Sequence, residues 1–135
     1  MRRVQKRLLN KYKIQNSSHQ ALVGDFSIIS LKTSRITAKQ IECSRILLRR
    51  EIRKKNATQK RVSFTIPVTS KPTGVRMGKG KGEIDFYVGK CYCFDPIFDL
   101  RGISLELGVK LLRKISYKLP MKLGLMDKQG NVYKS

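Results

Sequence analysis

Hydrophobic residues recur along this chain at two distinct spacings, and the change from one to the other marks out its elements. From Ala21 to Leu31 the run ALVGDFSIISL predicts a strand with Phe26, Ile28 and Ser30 on one face. The next stretch, ITAKQIECSRILLRREIRKKN, carries Ala38, Ile41, Leu48 and Ile52 at helical spacing. Thr37 followed three residues later by Gln40 forms a capping box at its start, and Asn56 is a natural stop. Residues 61–68, RVSFTIPV, alternate strictly, with Val62, Phe64, Ile66 and Val68 pointing one way, which predicts a half-buried strand. Pro67 assigns that strand to an edge or to its own end, because proline cannot donate to a ladder.

The loop TSKPTGVRMGKGKG comes next, and IDFYVGKCYCF returns as a second strand with Ile84, Phe86 and Val88 on one face. The two strands and the loop together make a long glycine hairpin. After Asp95-Pro96 the pattern turns helical, with Ser104 as cap, Glu106 in the first turn and Leu107, Leu111, Ile115 and Leu119 spaced four apart until Pro120. MKLGLM forms a last short strand, and residues 127–135 read as a polar tail. With residues 1–20 as a basic tail, the expected body is one α+β domain over 21–126, two helices laid on a mainly antiparallel or mixed sheet.

Charge changes the picture most. The chain of 135 residues holds 30 Lys+Arg against 9 Asp+Glu, a formal net charge of +21, where a small domain ordinarily carries about 2 to 8 in magnitude. Residues 1–82 contain 21 of the basic and 3 of the acidic side chains, so the excess lies in the tail, the first helix and the glycine loop. Self-repulsion on this scale opposes compaction, and a polyanion relieves it. Lys39, Arg45, Arg49, Arg50, Arg53, Lys54 and Lys55 occupy the polar arc of the first helix, which is either a solvated face or an RNA contact. Lys71, Arg76, Lys79 and Lys81 line the hairpin loop. Glycine there lets a phosphate backbone approach main-chain N–H groups, and the flanking cations neutralise it. Shape and phosphate contacts of this kind suit folded RNA.

Catalysis is poorly supplied. His19, the sole histidine, sits in the tail with no acid or nucleophile near it in sequence. Glu83 and Asp85 share a strand face, but neighbouring Lys79 and Lys81 favour a salt-bridged role. The loop lacks the Ser or Thr of a Walker loop, and Gly78, Gly80 and Glu83 break the dinucleotide pattern. Cys43, Cys91 and Cys93 lack metal spacing and read as buried or half-buried thiols in a reducing compartment. No run of 18 apolar residues exists to span a membrane as a helix. No catalytic residue, metal, cofactor or small-molecule substrate is therefore expected.

RITAKQIE, KPTGVRMGKGKG and the late KLP, in this order and at these separations, closely resemble the bacterial and organellar large-subunit ribosomal protein sixteen family, whose archaeal and eukaryotic counterpart is numbered ten. The resemblance runs from about Gly24 to Met126. It implies a hammerhead-type α+β fold and a structural role in the large ribosomal subunit. The implied partners are large-subunit ribosomal RNA, the aminoacyl-site tRNA and neighbouring ribosomal proteins. On this chain it makes Arg76, Met77, Gly78, Lys79, Gly80, Lys81 and Gly82 the hairpin tip directed towards the peptidyl-transferase side. Arg35, Lys39 and the basic end of the first helix would meet ribosomal RNA. The chain departs from the family at NKYKIQNSSHQ, where bacterial members carry a Gly/Arg-rich motif, and at Gln59, where an aromatic is expected. That divergence favours a mitochondrial ribosome over bacterial cytoplasm or plastid, with the basic start as the protein's own arm. A free-standing RNA chaperone or assembly factor is the alternative.

Overall fold

Two helices and two antiparallel sheets make up the fold in the computed structural model, which describes residues 24–52, 58–60 and 62–134. In chain order the elements are β1 (Phe26–Ser30), β2 (Ser34–Thr37), α1 (Ala38–Glu51), β3 (Thr58–Lys60), β4 (Ile66–Ser70), β5 (Glu83–Cys91), β6 (Pro96–Leu100), α2 (Leu105–Ser116), β7 (Leu123–Asp127) and β8 (Val132–Lys134). The larger sheet has the order β3-β6-β1-β7-β8 and the smaller one β2-β5-β4. The α+β expectation holds, with the strands divided between two sheets.

At the centre of the larger sheet, β1 pairs with β6 on one side and β7 on the other. Ile28 and Ile29 point to opposite faces and are both fully buried, so the strand has two covered faces and not the one its alternation suggested. Ser27 is buried as well, and its hydroxyl donates to Asp99 Oδ1 at 2.8 Å, which gives a carboxylate in the middle of the sheet a partner. The main core lies between this sheet and the helices, from Ile28, Phe98 and Leu125 to Leu48, Leu111, Leu112 and Ile115. Each such side chain contributes roughly 1.5–3 kcal/mol by leaving water.

The capping box at α1 forms in full. Gln40 N–H donates to Thr37 Oγ1 at 3.3 Å, and Thr37 N–H donates to Gln40 Oε1 at 3.0 Å. Ile41, Ser44, Leu48 and Ile52 face inwards, whereas Ala38 is exposed. The helix stops at Glu51 and not at Asn56: Ile52 turns to φ −94, ψ 123, which carries its side chain into the core. In α2 the Ser104 hydroxyl accepts from Leu107 N–H, and Leu111, Leu112 and Ile115 are buried. It ends at Ser116, ahead of Pro120, while Leu119 is buried beyond it.

Several short strands differ from the sequence reading. PIFDL, placed at the start of a helical pattern, is β6, and its Pro96 stands at the first strand position, where a missing N–H is tolerated. Residues 62–65 alternate in burial but make no ladder, and β4 begins only at Ile66. A Cβ at Gly89 would lie 2.5 Å from Val62 Cγ1 and 2.7 Å from Ser63 O, so this segment crosses β5 at close range instead of lying beside it. Within the stretch read as a tail, Val132–Lys134 pair with β7 as β8.

Candidate nucleic-acid interface

The glycine loop is the tip of a finger. In β5 the inner residues pair with β2 as far as Thr37↔Val88, and Val88 and Cys91 are buried. Beyond Val88 the strand pairs with β4 alone, from Pro67↔Tyr87 to Ser70↔Glu83. Ile84 and Phe86, expected on one face with Val88, are 51% and 43% exposed, whereas Val88 is buried. The reason is geometric: a two-stranded ribbon that has left the body has nothing to lay its apolar side chains against. The register shift opposite Val68/Thr69 leaves Asp85 as the extra residue of a bulge, which also breaks the alternation relating it to Glu83. A ribbon of this kind is marginal in water by itself.

At the tip, Gly78, Lys79 and Gly80 take φ of 99°, 56° and 92° in succession, a left-handed run that needs glycine on both sides of the lysine. Lys71 Nζ donates to Gly78 O across the loop. Arg76, Lys79, Lys81 and Lys71 are all exposed, and Met77 is 99% exposed. Gly82 serves a different purpose: a Cβ there would lie 2.2 Å from Ser70 O, so glycine lets the ribbon close beneath the loop.

β2 runs directly into α1, which sets Arg35 and Lys39 on either side of the Thr37 cap. Lys39, Arg49 and Arg50 are exposed on α1. Arg45 differs from them, because its guanidinium is held by Glu42 in two bonds of 2.9 and 2.5 Å, and Glu42 pushes its pKa above the ordinary arginine value. Arg53 and Lys54 lie outside the described residues, as does His19. Other acids are likewise engaged within the body. Glu51 pairs with Lys114 at 2.5 Å, tying α1 to α2, and Asp25 accepts from Gly102 N–H at 2.8 Å and pairs with Lys128 at 3.2 Å.

Of the cysteines, Cys91 is buried, and burial, with Asp95 adding to it, pushes its thiol up to about 12. Cys93 is half-buried, its thiol donating to Leu31 O at 3.3 Å. Cys43 is exposed on α1, contrary to the half-buried expectation. Among the described residues no group of three His, Cys, Asp or Glu is placed to hold a metal ion, and no helix is long and apolar enough to cross a membrane. The sequence reading missed Lys90, whose Nζ stands 4.6 Å from the centroid of the Tyr92 ring. A lysine two residues from an aromatic on a strand was the available signal.

A family profile described as ribosomal protein L16p/L10e matches residues 1–126. The chain belongs to the ribosomal protein L16p/L10e family. This is a family of ribosomal proteins and not of enzymes. Similar curated proteins include the large ribosomal subunit protein uL16 of Sulfurihydrogenibium sp. (strain YO3AOP1), 37% identical over 108 residues that cover 80% of this chain and 78% of that one. The uL16 of Azorhizobium caulinodans is 38% identical over 99 residues, 73% of this chain and 72% of its own. That of Leptospira biflexa serovar Patoc is 31% identical over 118 residues, 87% and 85% of the two chains.

Proposed function

We propose that this chain is a structural component of the large ribosomal subunit that binds large-subunit ribosomal RNA through the finger and the basic face of α1. In this reading residues 21–126 are the RNA-binding body and residues 1–20 a basic arm. The tip at Arg76–Gly82 reaches towards the peptidyl-transferase region and helps to position the aminoacyl-site tRNA, and neighbouring ribosomal proteins complete the surroundings. The observation that carries it is the exposed glycine-lysine tip on a ribbon anchored to the body only at its base, a shape that gains order from folded RNA and adds little to the core. The names of the bacterial relatives support the particle assignment. Placement in a mitochondrial ribosome rests on the divergence of the chain from its bacterial relatives.

Two measurements test this. In sucrose gradients the protein stays with the large subunit through a high-salt wash, whereas a free RNA chaperone would be stripped. Arg76→Ala impairs tRNA accommodation or subunit maturation and leaves the melting temperature of the isolated chain unchanged. Early melting together with normal ribosomes would refute the role of the finger. Organelle fractionation decides the compartment.

A further inference from the structure

Between β5 and β6 the chain turns through Tyr92, Cys93, Phe94 and Asp95, and Phe94 is out of place there by every internal criterion. Its φ is 67°, a left-handed conformation that a bulky side chain disfavours and that glycine or asparagine adopts readily. Its ring is 52% exposed, so core burial does not justify the phenyl group either. The turn nevertheless holds this conformation firmly. Phe94 N–H donates to Ser30 O at 2.6 Å, Ser30 N–H to Asp95 O at 3.0 Å, and Asp95 N–H to Tyr92 O at 3.2 Å. Tyr92 N–H donates to Asp95 Oδ2 at 2.9 Å, which commits that carboxylate to the turn, and the Cys93 thiol ties the turn to Leu31 O. A strained aromatic that is fixed in place and still presented outwards points to a partner.

The surroundings say which partner. Leu31 N–H is bonded to Lys122 O, and the Ser30 hydroxyl donates to Lys32 O, so two exposed lysines stand at the backbone positions next to the turn. Lys90 stands over Tyr92 just before it. An apolar protein surface gains nothing from three lysines beside this turn, whereas an RNA strand offers a flat base for the phenyl face and phosphates for the lysines. We infer that the β5–β6 turn is a second RNA contact outside the finger, at which Phe94 stacks on an unpaired base of ribosomal RNA and Lys32, Lys90 and Lys122 meet the flanking phosphates. The inference rests on the RNA-binding function proposed above.

The test uses the full chain with large-subunit ribosomal RNA transcribed in vitro, in magnesium buffer, and compares wild type with Phe94→Gly, Phe94→Trp and Arg76→Ala. Because glycine accepts a φ of 67°, Phe94→Gly melts no lower than wild type. It binds the RNA roughly fivefold to a hundredfold more weakly, the worth of one stacked base, with an unchanged salt dependence. The chain contains no tryptophan, so Phe94→Trp introduces a single indole, which keeps the affinity and is quenched on binding. Wild-type affinity in Phe94→Gly, an indole untouched by RNA, or a lower melting temperature in Phe94→Gly would each overturn the inference. So would loss of a neighbouring ribosomal protein from the particle with RNA binding intact, which would make the ring a protein contact. Failure of the wild type to bind the transcript overturns the broader reading. Weak binding by Arg76→Ala alongside normal binding by Phe94→Gly overturns this inference alone.

Discussion

Salt titration counts the phosphates that the interface meets, and the structure supplies the number to expect. Lys39, Arg49 and Arg50 on α1 and Lys71, Arg76, Lys79 and Lys81 on the finger are exposed. If each of these seven displaces a counterion, the logarithm of affinity falls against the logarithm of salt with a slope of roughly −5 to −6. Basic residues of the N-terminal segment, and Lys32, Lys90 and Lys122 at the β5–β6 turn, would steepen it further. Between about 50 and about 200 mM salt the affinity for large-subunit RNA should then drop by about three orders of magnitude. Fluorescence anisotropy on the full chain, at fixed magnesium and varied potassium chloride, reads the slope directly. Arg76→Ala, Lys79→Ala and Lys81→Ala should each make it shallower by about one. Arg45→Ala should barely move it, because Glu42 already holds that guanidinium at 2.9 and 2.5 Å. A wild-type slope shallower than about −2, or one that ignores all three finger substitutions, would refute the reasoning.

Other outcomes follow from the body. Ile115→Ala empties a fully buried position of α2 and should cost roughly 2–5 kcal/mol, lowering the melting temperature by roughly 7–18 °C for a chain of this size. A circular-dichroism melt within a degree of wild type would contradict that packing. Maleimide at neutral pH should label exposed Cys43 at once and Cys91 only after denaturation, since the Cys91 thiol is buried and pushed up to about 12; peptide mapping reads the order. The Gly102 N–H, and then Lys128, hold the Asp25 carboxyl below its ordinary 3.8. Its contribution to stability is therefore complete above that pH and fades as acid protonates the folded form. Asp25→Asn should flatten the stability profile below about pH 4 and leave its shape at neutral pH unchanged, as denaturant melts across pH would report.

Much of this was legible from residue patterns. Thr37 and Gln40 announced α1 through chemistry local enough to survive any tertiary context, and Ser104 did the same for α2. The loop cations and glycines located the finger. What escaped were features decided by distant partners. Ile36, which the sequence pattern leaves just ahead of the Thr37 cap without an element, belongs to β2, paired with Gly89 in the ladder. PIFDL is too short to declare a period and becomes a strand only because β1 and β3 flank it. Val132 and Tyr133 sit among polar residues and are recruited by the free edge of β7. Ile84 and Phe86 alternate like core residues, but no periodicity could reveal that the ribbon carrying them leaves the body. At the interface, Phe94 gives no sign in one dimension of its left-handed backbone, since that conformation is imposed by Ser30 and Asp95.

The central position of β1 sets the order of events during synthesis. Ser27 meets Phe98, which follows it by 71 residues, and the other neighbour of the strand reaches to Asp127. At about 5–20 residues per second, that second partner leaves the exit tunnel about 5–20 s after β1 does. By the end of that interval residues 1–82, with 21 of the 30 basic side chains, have emerged while the larger sheet still lacks its last strands. Those early lysines and arginines are therefore open to any polyanion in the cell before the strands that complete the sheet have arrived.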